Sequence, residues 1–234
     1  EAALQIKENL DANICAVTMG PAMAEEILHQ AKALGADEGV LLTDRRMAGA
    51  DTFLTSHILS RFIQREYNSF DLVICGSQTS DSETAQVGPQ LAEDLGIPAI
   101  GYINKISVKE NTVEVQRHVD DFFETLSMDL PGLVTIDLSA YKPRYLALEG
   151  VEKAFENPDI RIIDAEKLGF NDDFNALKDS PTRIIDVFSP TTQNENRVLK
   201  GAVKKLVDQL FDEYGKVISS GMGKDLKTHE HDEV

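Results

Sequence analysis

Residues 71–98 read DLVICGSQTSDSETAQVGPQLAEDLGIP, and this stretch decides the fold. An apolar run, Leu72, Val73, Ile74 and Cys75, halts at Gly76, and a small polar segment follows before helical residues resume. That order spells a buried parallel strand, a tight turn and a helix N-terminus, where α/β proteins hold anionic ligands. Gly76, Ser77, Thr79, Ser80 and Ser82 are small enough for a ligand to approach the backbone. Thr84 and the free N–H groups around it can hydrogen-bond a phosphate. Gln78 and Gln86 add amides that can pair with a base or a ribose. The plainer alternative is a turn capped by Ser82, with Asp81 and Glu83 complementing the helix dipole.

On the N-terminal side of this stretch, strands and helices alternate. Residues 13–18 (NICAVT) form a strand and Met19-Gly20-Pro21 a turn. Residues 22–34 are a helix with Ile27, Leu28, Ala31 and Leu34 at helical spacing, ended by Gly35. A short strand at 40–42 and a loop at 44–51 (DRRMAGAD) come next. Residues 52–67 then make a helix with Phe53, Leu54, Ile58, Leu59, Phe62 and Ile63 on one face, and Asp51 is placed to cap it. This alternation predicts an α/β protein: a parallel sheet with helices on both faces, of the Rossmann-like kind. In the helix after the quoted turn, Gly88-Pro89 leaves the Ala85 carbonyl without its helical partner.

From residue 99 the pattern changes. ISV, TVEVQ and ETLSM alternate like strands around a turn at 109–111, which predicts an antiparallel β-hairpin extension returning to a core strand at 133–138. Residues 156–193 are polar, carry NPD, ND and SPT turn signals, and are expected as an irregular arm. A helix is expected over 195–214, with Val198, Leu199, Ala202, Val203, Leu206, Leu210 and Phe211 on one stripe. That stripe serves either packing on its own domain or the grip on a partner subunit. The division is therefore an α/β domain over 1–155 and a C-terminal arm with its helix over 156–234.

Composition narrows the function classes. The 234 residues suffice for one substantial α/β core. A net charge of −17 makes nucleic acid and anionic membranes poor partners, and suits a subunit that docks on basic surfaces. Cys15 and Cys75 sit singly in apolar runs, and His29, His57, His118, His229 and His231 are scattered, so no metal site is expected. With no secretory leader and no apolar run to cross a bilayer, the expected location is cytoplasmic, or an organelle whose targeting segment has been removed. There is no G-x-S-x-G, P-loop or local Cys/His signature, so no side chain is singled out as catalytic; redox chemistry here would belong to a cofactor.

The segment GSQTSDSETAQVGPQLAEDLGIP resembles the signature of the small (beta) subunit of electron-transfer flavoprotein, written G-R-Q-A-x-D-G-D-T-A-Q-V-G-P. The likeness continues in register through 17–45 (VTMGPAMAEEILHQAKALGADEGVLLTDR), 48–56 (AGADTFLTS) and 142–154 (KPRYLALEGVEKA). In that family the signature wraps the phosphates and ribose of an AMP or an FAD. The resemblance implies cofactor contacts from Gly76, Gln78, Asp81, Thr84, Ala85, Gln86 and Val87, and from Met19 at a strand end. The loop DRRMAGADTFLTS at 44–56 is similar to that of the FAD-bearing, electron-bifurcating branch, and subunits holding only AMP lack it. On that likeness Ala50, Asp51, Thr52 and Thr55 lie near the flavin and its pyrophosphate.

Departures from the family pattern are Ser77 for the usual Arg, Thr79-Ser80 for Ala-Ile or similar, Ser82-Glu83 for Gly-Asp, and Phe53-Leu54 for Leu-Ala. The last pair is expected to face the core. Arg45 and Arg46 are cations for a phosphate or for surface ion pairs. Leu148 matches the family leucine that inserts into a dehydrogenase pocket, or else is a core residue at a helix start. Many members follow it with a lysine-rich run; VEKAFENPD stands here instead and implies a different dehydrogenase or a differently charged docking face.

The function implied is a heterodimer with a large (alpha) subunit, in which the FAD held here accepts hydride from NADH. One electron would go to ferredoxin or flavodoxin and the other towards an acyl-CoA or 2-hydroxyacid dehydrogenase. The alternatives are an AMP-holding structural subunit and a nucleotide-binding protein of the universal-stress type, whose G-x-x-G run is not found. The chain opens at EAALQIKE without an initiator methionine, so the family's first strand and N-P-Y-D-like loop are expected outside this sequence.

Overall fold

The computed structural model describes residues 1–157, 159–189 and 198–222. Contacts divide the chain into one unit over Glu1–Ile185 and a second from Asp186 onward. The first unit begins α1 (Ala2–Asn9), β1 (Cys15–Met19), α2 (Glu25–Leu34), β2 (Glu38–Leu42), α3 (Thr52–Glu66), β3 (Leu72–Gly76) and α4 (Val87–Leu95). Four strands follow, β4 (Ala99–Lys109), β5 (Thr112–Val119), β6 (Phe122–Asp129) and β7 (Gly132–Ile136). The unit closes with α5 (Leu148–Glu156), β8 (Arg161–Ile163) and α6 (Ala176–Asp179). The second unit contains α7 (Val203–Met222).

The expected α/β architecture is present, with its parallel strands divided between two sheets. One is β1-β2-β8, parallel throughout; the other is β3-β7-β4-β5-β6, parallel across β3, β7 and β4 and antiparallel onward to β6. Val40, Leu41, Leu42, Leu133 and Val134 are all fully buried, so β2 and β7 are covered on both faces, as parallel strands require. The two sheets share a core through α3. Leu59 and Ile63 pack against the cluster around Val40, Leu42, Ile58 and Phe62, and also against Leu91, Ala92 and Leu133. On α5, a Cβ added at Gly150 would run into the Ala33 carbonyl oxygen of α2, so those two helices meet backbone to backbone.

Several elements differ from expectation. The hairpin extension is a three-stranded meander, because β4 continues from its parallel pairing with β7 into an antiparallel ladder with β5, through an irregularity between Ile100 and Ile103. The helix after the quoted turn begins only at Val87, so Pro89 stands in its first turn and leaves no gap in the ladder. Residues 161–180, expected as part of an irregular arm, are built into the first unit instead. β8 pairs with β2, and Ile163, Ala165, Leu168, Phe174 and Ala176 join the core beside Phe62. The amphipathic helix starts at Val203 and runs to Met222; Val198 and Leu199 precede it, and Gly201, with φ +158, breaks the helical path between. Residues 190–197 of the expected arm and helix start, and the tail with His229 and His231, lie outside the described residues. Among the described residues no helix is long and apolar enough to cross a membrane, and no three His, Cys, Asp or Glu side chains gather as a metal site.

Candidate functional site

The predicted residues gather at the carboxyl ends of β1, β2 and β3, the side on which open α/β sheets hold ligands. Met19 is the last residue of β1, and the Gly20 amide donates to the Leu42 carbonyl at 3.1 Å, tying that end to β2. Gly76 ends β3, and a Cβ there would meet nothing nearer than the Gln78 carbonyl oxygen at 3.9 Å. Its outer side is open to a ligand. Ser77, where the family carries arginine, is buried, and its amide donates to the Ile136 carbonyl of β7 at 2.9 Å.

The turn from 79 to 86 closes on itself at one end and leaves donors free at the other. Thr79 and Ser82 share a hydroxyl hydrogen bond of 3.1 Å, and the Glu83 amide donates to the Thr79 carbonyl at 3.1 Å. The neighbouring Thr79 hydroxyl lowers the pKa of the exposed Asp81 carboxyl. Glu83 and Ala85 adopt left-handed backbone, φ +50 and +55, at residues that disfavour it. The amides of Thr84, Ala85 and Gln86 donate to no backbone carbonyl, and Gln86 gives α4 no side-chain cap. Successive free amides in such a turn form the kind of concavity that binds anions. The Ser82 cap of the plainer alternative is absent, because the helix starts five residues further on, at Val87.

The second half of the site is the start of α3. Asp51 caps it, one carboxylate oxygen accepting the Leu54 amide at 3.0 Å, and the Thr55 amide donates to the Asp51 carbonyl at 2.9 Å. Ala50 packs against the core beneath. The Thr52 hydroxyl lies 3.0 Å from Gln86 Oε1, so the loop at 44–56 and the signature turn touch directly. Leu54 is buried as expected, whereas Phe53 is 48 % exposed. Successive helical residues stand about 100° apart, which turns Phe53 away from the apolar stripe of Leu54 and Ile58.

Charge at the site is largely committed to the chain itself. Arg46 forks onto Asp44, with its Nη2 2.8 Å from Oδ2, and so resolves as an ion pair within its own turn; Arg45 is exposed. The Arg46 guanidinium, with the amides of Arg46 and Ala165, holds the Asp44 carboxyl at about 2. Burial opposes ionisation of Asp51, but the Leu54 amide and the hydroxyl and amide of Thr182 together outweigh it and lower its pKa. Burial alone pushes the Cys75 thiol up to about 11, which keeps it neutral beneath the turn. What remains outward is an open glycine, the free amides of Thr84, Ala85 and Gln86, and the polar side chains of Thr84, Thr52 and Gln86. That donor set fits the phosphates and ribose of an adenine nucleotide or dinucleotide.

Two features lie beyond the predicted set. Tyr102, with φ +58, stands where β4 leaves its parallel partner, and its amide donates to Thr135 Oγ1 at 3.0 Å. The same Thr135 backs Gly88: a Cβ on that glycine would come within 2.5 Å of Thr135 Cγ2, which brings the start of α4 directly onto β7. No periodicity marks a left-handed tyrosine, although Gly101 beside it is a hint of an irregular strand. Leu148, by contrast, does not join the site. It opens α5 and is 75 % exposed, in a segment pinned by Arg144, whose guanidinium meets Glu1 at 2.8 Å and Glu8 at 2.6 Å.

Comparison with known proteins shows the family. Residues 1–165 match the electron transfer flavoprotein domain. The electron transfer flavoprotein subunit beta of Thermoanaerobacterium thermosaccharolyticum is 36 % identical over 212 residues, 91 % of this chain and 81 % of its own. The acryloyl-CoA reductase electron transfer subunit gamma of Anaerotignum propionicum is 38 % identical over 218 residues, 91 % of this chain and 81 % of its own. A subunit of the caffeyl-CoA reductase–Etf complex of Acetobacterium woodii is 38 % identical over 202 residues, 86 % of this chain and 76 % of its own.

Proposed function

The chain belongs to the electron transfer flavoprotein family, similar across most of its length to beta subunits, and from that premise we propose that it is a beta subunit holding a complete FAD. The observation that carries this reading is the Thr52–Gln86 contact at 3.0 Å, which joins the signature turn to the 44–56 loop that resembles the FAD-bearing branch. Gly76, Gln78, Thr84, Ala85, Gln86 and Val87 would take the adenosine and phosphate portion, with Met19 at the neighbouring strand end. Ala50, Thr52 and Thr55 would face the pyrophosphate and flavin, and Asp51 and Asp81 would shape the two loops that do so. When bound, the FAD would take a hydride from NADH and pass one electron towards ferredoxin or flavodoxin and one towards a dehydrogenase. The residues of this chain bind and orient; none is asked to move a proton.

Membership of the family removes the universal-stress reading. An AMP-holding subunit is the second reading, and Ser77 favours it, since a buried serine offers no cation to a flavin where the family has arginine. The partners proposed are the large (alpha) subunit and a dehydrogenase, in the cytoplasm. Relatives named for acryloyl-CoA reductase and caffeyl-CoA reductase favour an acyl-CoA type over a 2-hydroxyacid type. Exposed Leu148 supports docking at that loop, since a projecting apolar side chain can anchor in a pocket. Anaerobic addition of NADH to the complex with the large subunit tests the reading. Rapid bleaching of flavin absorbance is expected, and a complex that NADH leaves fully oxidised would overturn it.

A further inference from the structure

The Asp51 carboxylate poses a physical problem that the chain itself answers. A carboxylate at the start of α3 stabilises the helix, but it also places negative charge where the proposed reading puts a pyrophosphate. Both of its oxygens are committed elsewhere. One accepts the Leu54 amide at 3.0 Å, and the other accepts the Thr182 amide at 2.9 Å and the Thr182 hydroxyl at 2.7 Å. The Asp51 amide in turn donates to Ser180 Oγ at 3.0 Å, and that hydroxyl reaches the Gly49 carbonyl at 3.5 Å.

This contact comes from a rigid support. Ser180 is 5 % exposed, Ala176 lies in the core, and the Asn175 amide is held by the Asp179 carboxylate at 2.9 Å. Leu177 covers Gly49, whose φ of +80 brings the loop so close that an added Cβ would lie 2.9 Å from the leucine. Residues 175–182 thus grip 49–51 from one side, while Thr52 meets Gln86 at 3.0 Å.

We propose that Thr182 and Ser180 are positioning residues for the cofactor: their hydroxyls hold the Asp51 carboxylate and the 49–51 backbone in the arrangement that lets the α3 start accept a pyrophosphate. The inference rests on the FAD reading and deepens it. Residues more than 120 positions downstream of the loop decide whether that loop is ready for the dinucleotide. An AMP held by the signature turn alone would not need them.

The test uses the full chain in complex with its large subunit and three variants, T182V, T182S and S180A. T182V keeps the amide bond and the side-chain shape and deletes only the hydroxyl donor. Losing one hydrogen bond to a charged group corresponds to about a tenfold loss of FAD affinity at this subunit. AMP affinity is expected to stay within about twofold, T182S to restore FAD binding, and S180A to follow T182V, because these are single neutral hydroxyls away from the signature turn. Amide hydrogen exchange over 47–56, followed without added cofactor, is expected to rise in T182V and S180A. If the wild type carries FAD and T182V binds it equally well, this inference fails while the function stands. If the wild type carries only AMP, the FAD reading itself fails and takes the cofactor role of Thr182 with it.

Discussion

Asp44 shows how single side chains fix the loop that frames the site. Its carboxylate accepts from the Arg46 guanidinium, the Arg46 amide and, 121 residues away, the Ala165 amide. These bonds depress its folded-state pKa to about 2 from an ordinary 3.8. A depressed carboxylate stabilises the fold above its unfolded value, and that contribution is lost as pH falls through the folded value. Wild type and D44N should therefore differ most above about pH 4 and converge towards about pH 2, as followed by denaturant unfolding across that range. At neutral pH the variant should be less stable by about 1–3 kcal/mol, since buried donors lose a charged acceptor. Equal stability of the two proteins at pH 7 would contradict the assignment. Arg46 shows the limit of reading residues singly: its charge suited a phosphate, but a carboxylate two positions back claims it first.

Among the elements, periodic ones were legible and irregular ones were not. The strands at β1, β2 and β3 and the helices α2 and α3 stand within three residues of their expected bounds, because apolar spacing, Asp51 and Gly35 mark them. The start of α4 was not legible, since Thr79, Asp81 and Ser82 spend their caps on one another and left-handed backbone falls on Glu83 and Ala85 rather than glycine. β8 was missed because three residues carry too little pattern to be called a strand, and its place beside β2 is a tertiary fact. The contact between Thr52 and Gln86 likewise needs the fold, as 34 residues separate them.

Two element-level predictions follow from packing. Gly88→Ala would press a methyl within 2.5 Å of Thr135 Cγ2 and lift α4 from β7. Overpacking of this kind costs about 1–3 kcal/mol, which thermal or denaturant unfolding would read, and nucleotide binding should weaken with it. Leu148→Ala removes only an exposed side chain at the head of α5, so flavin content should not change. The apparent KM for the partner dehydrogenase should rise about tenfold or more, the loss expected of an interface anchor. A rise in neither KM nor dissociation constant would place docking elsewhere.

At the scale of the whole molecule, acidity and architecture point the same way. A chain of net charge −17 should dock through basic surfaces, so its electron delivery to the dehydrogenase should slow as ionic strength rises from about 50 to about 300 mM. Rates indifferent to salt would assign docking to apolar contact alone. The fold supplies the rest: three strand ends and two helix starts converge, with the Asp44 and Asp51 carboxylates turned to structural use and the amides of 84–86 left free. On the proposed reading the chain holds a nucleotide without supplying catalytic side chains of its own. Whether that nucleotide is a whole dinucleotide is the central claim. The most direct test is acid release and quantification of FAD and AMP from the purified complex with the large subunit. The account predicts one FAD belonging to this subunit beyond that of its partner, with little AMP; one AMP and no additional FAD would contradict it.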